Sequence, residues 1–280
     1  MVARVCTHPW ELRVEPFRII GNLYYVGNLD SSSHLIDTGD GLILIDTAFP
    51  QTVYLLLESV RRLGFDPDDI KYVVHTHAHY DHFGGTKAIV ELTGAKTFLG
   101  KEDIEILTDH PELSWTPEYG VEFYETFDVD TPLSDGDTIS LGNTTIECVH
   151  IPGHTPGSIS YFFEVTEEGK SYRAGIHGGP GLNTLSDEYL AQYGLSESRR
   201  EDYRRSLQKL KKEKVDVFIG AHPDQSDTFE KLAKRTDENN TFINTNDFRI
   251  FLEGIEEMIT HGWSWNGDFV DKRKEAEQAR

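Results

Sequence analysis

Five side chains able to bind a metal ion fall within eight positions of this chain, in the run Val73-Val74-His75-Thr76-His77-Ala78-His79-Tyr80-Asp81-His82-Phe83-Gly84-Gly85. Imidazole and carboxylate together suit zinc or a similar first-row metal. On a loop between a strand and a helix, His77 and His79 can point the same way and grip one metal. Asp81 and His82 can then turn toward a second. His75 sits in the strand and out of register, so it reads as a supporting or packing residue. Two further histidines follow apolar strands beside Pro and Gly. They are His154, in Gly153-His154-Thr155-Pro156-Gly157-Ser158, and His222, in Phe218-Ile219-Gly220-Ala221-His222-Pro223. Rigid loops of this kind present ligands rather than core side chains. His8, His34, His110, His150 and His261 have no such setting and read as surface or hydrogen-bonded residues.

The elements that must position these groups follow from hydrophobic period and turn residues. Phe17–Ile20, Leu23–Val26 and His34–Asp37 read as short strands. Leu42–Ile45 is a continuous apolar run, which suits a strand covered on both faces. Gln51–Leu63 has helical spacing in Val53, Leu56, Leu57 and Val60, with Gly64 as its stop. Lys71–His75 is a strand, Gly84–Thr93 a helix closed by Gly94, and Lys96–Leu99 a strand. Thr138–Leu141, Thr144–His150, Ser158–Phe163 and Ser171–Ala174 form a mostly antiparallel set with a Gly142-Asn143 turn. Glu197–Lys212 is a charged amphipathic helix and Val215–Ile219 a buried strand. Thr245 caps a last helix carrying Phe248, Leu252, Ile255 and Ile259. This order predicts a layered α/β architecture, two mixed sheets face to face with helices outside. Residues 1–280 form one domain in this reading, with an N-terminal extension at 1–15 and a solvated tail at 271–280.

Composition narrows the partners. The formal net charge is -21 over 280 residues. Such a surface repels phosphate backbones and anionic lipids, so neither nucleic acid nor a membrane is expected as partner; a small-molecule substrate is. Cys6 and Cys148 allow at most one disulfide and no disulfide scaffold. The first 15 residues carry no apolar signal core and no stretch reaches membrane-spanning length. The chain as given is therefore expected in the cytoplasm, or in the periplasm or outside the cell if a leader has been removed. Oligomeric state is left open.

Three features resemble the metallo-β-lactamase superfamily: the motif His77-x-His79-x-Asp81-His82, the loop Gly153–Ser158, and the strand end Leu44-Ile45-Asp46-Thr47. The similarity runs from about Pro16 to Ile259. Phe17–Gly27, His77-Ala78-His79 and the stretch from His222-Pro223 through Lys231–Arg235 to Asn246 narrow it to the third subclass of metallo-β-lactamases. In that subclass the second metal takes Asp, His and His, with no cysteine ligand; no cysteine stands near position 176. The resemblance implies a four-layer αβ/βα sandwich and two zinc ions per chain. One would lie on His77, His79 and His154, the other on Asp81, His82 and His222. It implies attack on a carbonyl carbon by a hydroxide shared between the metals, with Asp81 orienting that nucleophile. A β-lactam type of cyclic amide ranks first as substrate, followed by a lactone, ester or thioester. A metal-dependent sensor without catalysis is the alternative of another class.

The sequence departs from the subclass after the strand Ser171–Ala174. A Ser is expected there; in Ala174-Gly175-Ile176-His177-Gly178-Gly179-Pro180-Gly181, Ile176 takes that position. Ile176 and Gly178 replace hydroxyl residues that help hold a β-lactam carboxylate. They, His177 and Trp115 are the expected substrate contacts, although His177 reads equally as a plain loop histidine. Trp115, Tyr119, Phe123, Tyr124 and Phe127 form either a lid over the pocket or a small satellite core. Asp46 either braces the ligand loop from beneath or is a simple turn residue.

Overall fold

The computed structural model describes residues 1–263, so the expected solvated tail at 271–280 lies outside the described residues. Seven strands form the first sheet in sequence order: β1 (Phe17–Ile20), β2 (Leu23–Tyr25), β3 (His34–Asp37), β4 (Leu42–Ile45), β5 (Ile70–Val74), β6 (Lys96–Gly100) and β7 (Thr131–Leu133). Pairing is antiparallel as far as β4 and parallel from β4 to β7. The second sheet runs β12 (Val217–Ile219), β11 (Lys170–Ile176), β10 (Ile159–Glu167), β9 (Thr144–His150), β8 (Thr138–Leu141). Only its β11–β12 pair is parallel.

Alternation along the strands makes the layers, because successive side chains of a strand point to opposite faces. In β4, Ile43 and Ile45 face a core shared with the second sheet, while Leu42 and Leu44 face Leu56, Leu57 and Val60 of the helix Val53–Arg62. In β10, Ile159, Tyr161 and Phe163 join the shared core, and Phe162 turns outward to Tyr203, Phe248 and Phe251. The helices Ser198–Leu210 and Asp247–Thr260 cover that outer face. Both sheets are thus covered on both sides, which gives the expected four-layer αβ/βα sandwich. Cys148 lies in the shared core, Cys6 is partly exposed, and both are free thiols.

Two expectations need correction. The last helix begins at Asp247 with Asn246 at its N-cap and no side-chain cap bond, so Thr245 does not cap it. His34 is fully buried, with no hydrogen-bond partner for Nδ1.

Candidate metal centre

Loops at one edge of the sandwich bring the predicted ligands together. His77, His79, Asp81 and His82 follow β5, His154 lies between β9 and β10, and His222 follows β12. Their donor atoms form two groups, His77–His79–His154 and Asp81–His82–His222, each with all its atoms within 4.8 Å of one another. The groups line one cavity of about 470 Å³.

In four of the five rings the nitrogen turned away from that cavity is held by a hydrogen bond. His154 Nδ1 donates to the Gly181 carbonyl at 2.8 Å, His222 Nδ1 to the Asp30 carbonyl at 2.8 Å, and His82 Nδ1 to Asp46 Oδ2 at 2.9 Å. The Thr76 hydroxyl donates to Asp46 Oδ2 at 2.7 Å and accepts from His77 Nδ1 at 3.0 Å. Each of these four rings therefore leaves Nε2 as the nitrogen that faces the cavity. His79 is turned the other way: its Nδ1 stands 3.1 Å from both His77 Nε2 and His154 Nε2. In the second group His82 Nε2 and His222 Nε2 are 3.2 Å apart, and each is 3.4 Å from Asp81 Oδ2. Lone pairs this close repel one another unless a cation lies between them. For tetrahedral zinc with bonds near 2.05 Å, neighbouring donors are about 3.3 Å apart. Both donor sets fit zinc.

Electrostatics agree with the geometry. Burial pushes His154 down to about 3 and takes His77 and His79 well below the ordinary imidazole range, so all three are neutral donors. Burial alone would raise the Asp81 carboxyl, but His82 and His222 overcome it and hold it far below the usual range. Burial likewise opposes charge on His82, yet Asp81 and Asp46 hold it up at about 10. A proton and a metal ion are alternatives at that nitrogen, because both answer the same carboxylates.

Two buried carboxylates support the loops. Asp46 adopts a left-handed φ of 57°, which Asp tolerates better than most residues. That turn brings its carboxylate under the ligand loop, where it accepts from Thr76 N at 2.8 Å, the Thr76 hydroxyl and His82. The bracing role holds. Asp103 ties the His77–His79 segment to the His154 loop, accepting from Ala78 N at 2.8 Å, Thr155 Oγ1 at 2.7 Å and Gly157 N at 2.5 Å. Sequence reasoning missed it, since no motif marks a lone Asp after β6. Arg199, also missed, donates from Nη2 to the His154 carbonyl at 2.8 Å. His75 supports the loop as expected, its ring held by the Phe98 carbonyl at 2.9 Å and the Thr86 hydroxyl at 2.7 Å.

The substrate walls differ from expectation. Ile176, His177 and Gly178 are buried at the end of β11 and do not line the cavity. Ile176 belongs to the shared core, and the His177 ring packs on Phe251 at 6.0 Å. A Cβ at Gly178 would lie 1.8 Å from the Ile159 carbonyl oxygen, so the departure at this position is imposed by packing. Pro180, Gly181 and Asn183 form that wall instead. The aromatic stretch divides. Trp115 and Tyr119 line the cavity, Phe123 and Phe127 pack on a satellite core, and Tyr124 is exposed. Trp115 has φ 69°, a left-handed conformation costing a bulky residue about 1–3 kcal/mol. Burial, then the charges of Asp81 and Asp30, push the Tyr119 phenol far above its ordinary range; its hydroxyl meets the Asp81 carboxylate. Leu29, Asp30, Asp224 and Gln225 are wall residues that sequence reasoning had not named.

A family model of the metallo-β-lactamase superfamily matches residues 26–222, and the chain belongs to that superfamily of metal-dependent hydrolases. It is similar to BJP-1, a subclass B3 metallo-β-lactamase of Bradyrhizobium japonicum, at 31% identity over 92% of this chain and 96% of that one, with a TM-score of 0.82. The class B3 di-zinc metallo-β-lactamase LRA-12 from an Alaskan soil metagenome superposes with a TM-score of 0.80 at 28% identity, over 94% of this chain and 99% of that one. Among curated sequences, an N-acyl homoserine lactonase of Bacillus thuringiensis is 25% identical over 69% of this chain and 81% of its own length. The described residues contain no helix long and apolar enough to cross a membrane.

Proposed function

We propose that this chain is a dizinc hydrolase that opens a cyclic amide of the β-lactam type. One zinc is held by His77, His79 and His154 and the other by Asp81, His82 and His222. The observation that carries this reading is the pair of donor triangles, with edges close to those of tetrahedral zinc. Two zinc ions bound there would supply Lewis acidity toward a carbonyl oxygen and an acidified water near neutral pH. The chain's own groups do the rest. Asp46, Thr76, Gly181 and the Asp30 carbonyl fix the tautomer and direction of the forward nitrogens. Asp81, whose Oδ2 lies between His82 and His222, orients the attacking water. Trp115 and Tyr119 close one side of the cavity and exclude solvent from the reacting carbonyl. We take residues 1–280 as one domain that carries this site.

A lactone is the second reading. It is favoured by the similarity to an N-acyl homoserine lactonase, 25% identical over 69% of this chain. Metal analysis of the reconstituted protein should give about two zinc ions per chain, and a chromogenic cephalosporin should be hydrolysed. His154→Ala should lose about one zinc and cut kcat/KM roughly a thousandfold. Lactone cleavage without cephalosporin turnover selects the second reading. Two bound zinc ions with neither ring opened would refute both and point to a metal-dependent sensor.

A further inference from the structure

The extension that precedes the first strand runs between two walls of the cavity. Ala3 N donates to the Tyr119 carbonyl at 2.8 Å, and Leu29 N donates to the Leu12 carbonyl at 3.0 Å. Tyr119 and Leu29 both line the cavity, yet they come from separate connections, β6 to β7 and β2 to β3. The seat on the Tyr119 side is shaped for backbone. Gly120 has φ 68°, and a Cβ there would lie 2.6 Å from the Met1 carbonyl oxygen. The Cys6 thiol interacts with the Tyr80 phenol, whose ring packs on Tyr119 with centroids 5.8 Å apart. Arg4 braces the segment through two hydrogen bonds to Glu11, at 2.8 and 2.6 Å. Glu15 fixes its far end to Arg62, at 2.7 and 2.6 Å.

No side chain between residues 1 and 13 is fully buried. A segment with so little apolar burial opens locally at far lower cost than the core. The Arg4–Glu11 pair is exposed on both partners and contributes little, which leaves most of the hold to the two backbone bonds and the Tyr80 contact. Residues 1–12 neither line the cavity nor belong to a donor group, so they reach a substrate only through the walls they join. Resting on the hydrolase reading above, we propose that residues 1–12 are a specificity strap. By tying Tyr119 to Leu29 they hold two cavity walls against the part of the substrate that projects from the scissile ring. The strap thus governs how tightly that substrate is bound and leaves the chemistry at the metal ligands alone.

Ala3→Pro isolates the tie. Ala3 has φ -62°, which proline adopts, so the substitution deletes one N–H and keeps the carbonyl that accepts from Cys6 N. Cys6 reports the strap, because Cys148 is buried in the shared core and neither donor group contains a cysteine. In the zinc-loaded full chain, N-ethylmaleimide should label Cys6 about fivefold faster in Ala3→Pro than in the parent, the effect of one lost neutral hydrogen bond. Glu11→Gln should speed labelling by about twofold. By linkage, saturating ring-opened product, a cephalosporin or acylated lactone opened in alkali, should slow labelling of the parent about threefold and that of Ala3→Pro less. KM for the ring that the chain opens should rise about threefold in Ala3→Pro, at unchanged kcat and zinc content. Ala3→Ser keeps the N–H and should match the parent throughout. Equal labelling of parent and Ala3→Pro, no protection by product, an unmoved KM, or a fall in kcat or zinc content overturns the proposal. Labelling and its protection need no turnover, so they decide the strap even where neither ring is opened and the hydrolase reading fails.

Discussion

His34 and His82 are both buried imidazoles, yet their surroundings send them in opposite directions. Asp46 and Asp81 flank His82 and keep it basic, whereas burial pushes His34 down to about 4. An unfolded histidine titrates near 6.5, so between about pH 6.5 and 4 the folded chain binds fewer protons at this position than the unfolded chain. Stability from this group is therefore present above pH 6.5 and is lost as pH falls through that window, by about 3 kcal/mol in all. In His34→Gln the corresponding part of the acid loss should disappear. Denaturant unfolding of both proteins at pH 7.5 and pH 4.5, in chelator so that the metal ligands contribute equally, reads the difference. Identical losses would show that His34 is not held neutral. At this scale the sequence was most legible around His77–His82, because five ligand types in eight positions have few other uses. It was least legible at Asp30, Asp103 and Asp224, single carboxylates in polar stretches whose role depends on what lies opposite them.

Gly178 shows how an element can override a family pattern. The end of β11 crosses so close to β10 that a side chain at 178 meets the Ile159 backbone. Restoring a hydroxyl with Gly178→Ser should destabilise the chain by about 2–3 kcal/mol without improving turnover of a carboxylate-bearing β-lactam. A thermal scan and a kcat/KM measurement check the two halves. An unchanged Tm, or a clear gain in turnover, contradicts the placement. Elements with a strong period, such as β4 and the helix Val53–Arg62, fell where the sequence put them, whereas β10 runs past the expected Phe163 to Glu167. The strand β7 did not announce itself, since three residues with Pro132 at the centre carry no alternation to detect. Thr245 matched an N-cap by residue type, but the helix begins two residues later, and helix ends are set by local geometry that composition only biases.

For the whole molecule, the metal centre is a clasp. The two donor groups come from loops after β5 in one sheet and around β9, β10 and β12 in the other, so two zinc ions bound there would join the halves of the sandwich at one edge. A ligand that binds only the folded state stabilises it by about 4 kcal/mol at a free concentration of 1,000 times its Kd. For a chain of this size that corresponds to a Tm about 10 °C higher with zinc than without. Differential scanning calorimetry of chelator-treated and reconstituted protein should show this gap, and coincident Tm values would mean that the metals do not bridge the sheets.

By itself the sequence determined the layered fold, the metal-binding motif and the likeness to one superfamily, because period, ligand type and spacing are local and survive in a linear string. Only the tertiary structure decided that Asp103 ties the His77–His79 segment to the His154 loop, and that Asp30 and Asp224, with Trp115 and Tyr119, line the cavity while Ile176, His177 and Gly178 do not. These facts concern side chains as far apart as Asp30 and Asp224 in sequence. What they do is set by which loops the two sheets bring to one edge, and no spacing along the chain encodes that distance.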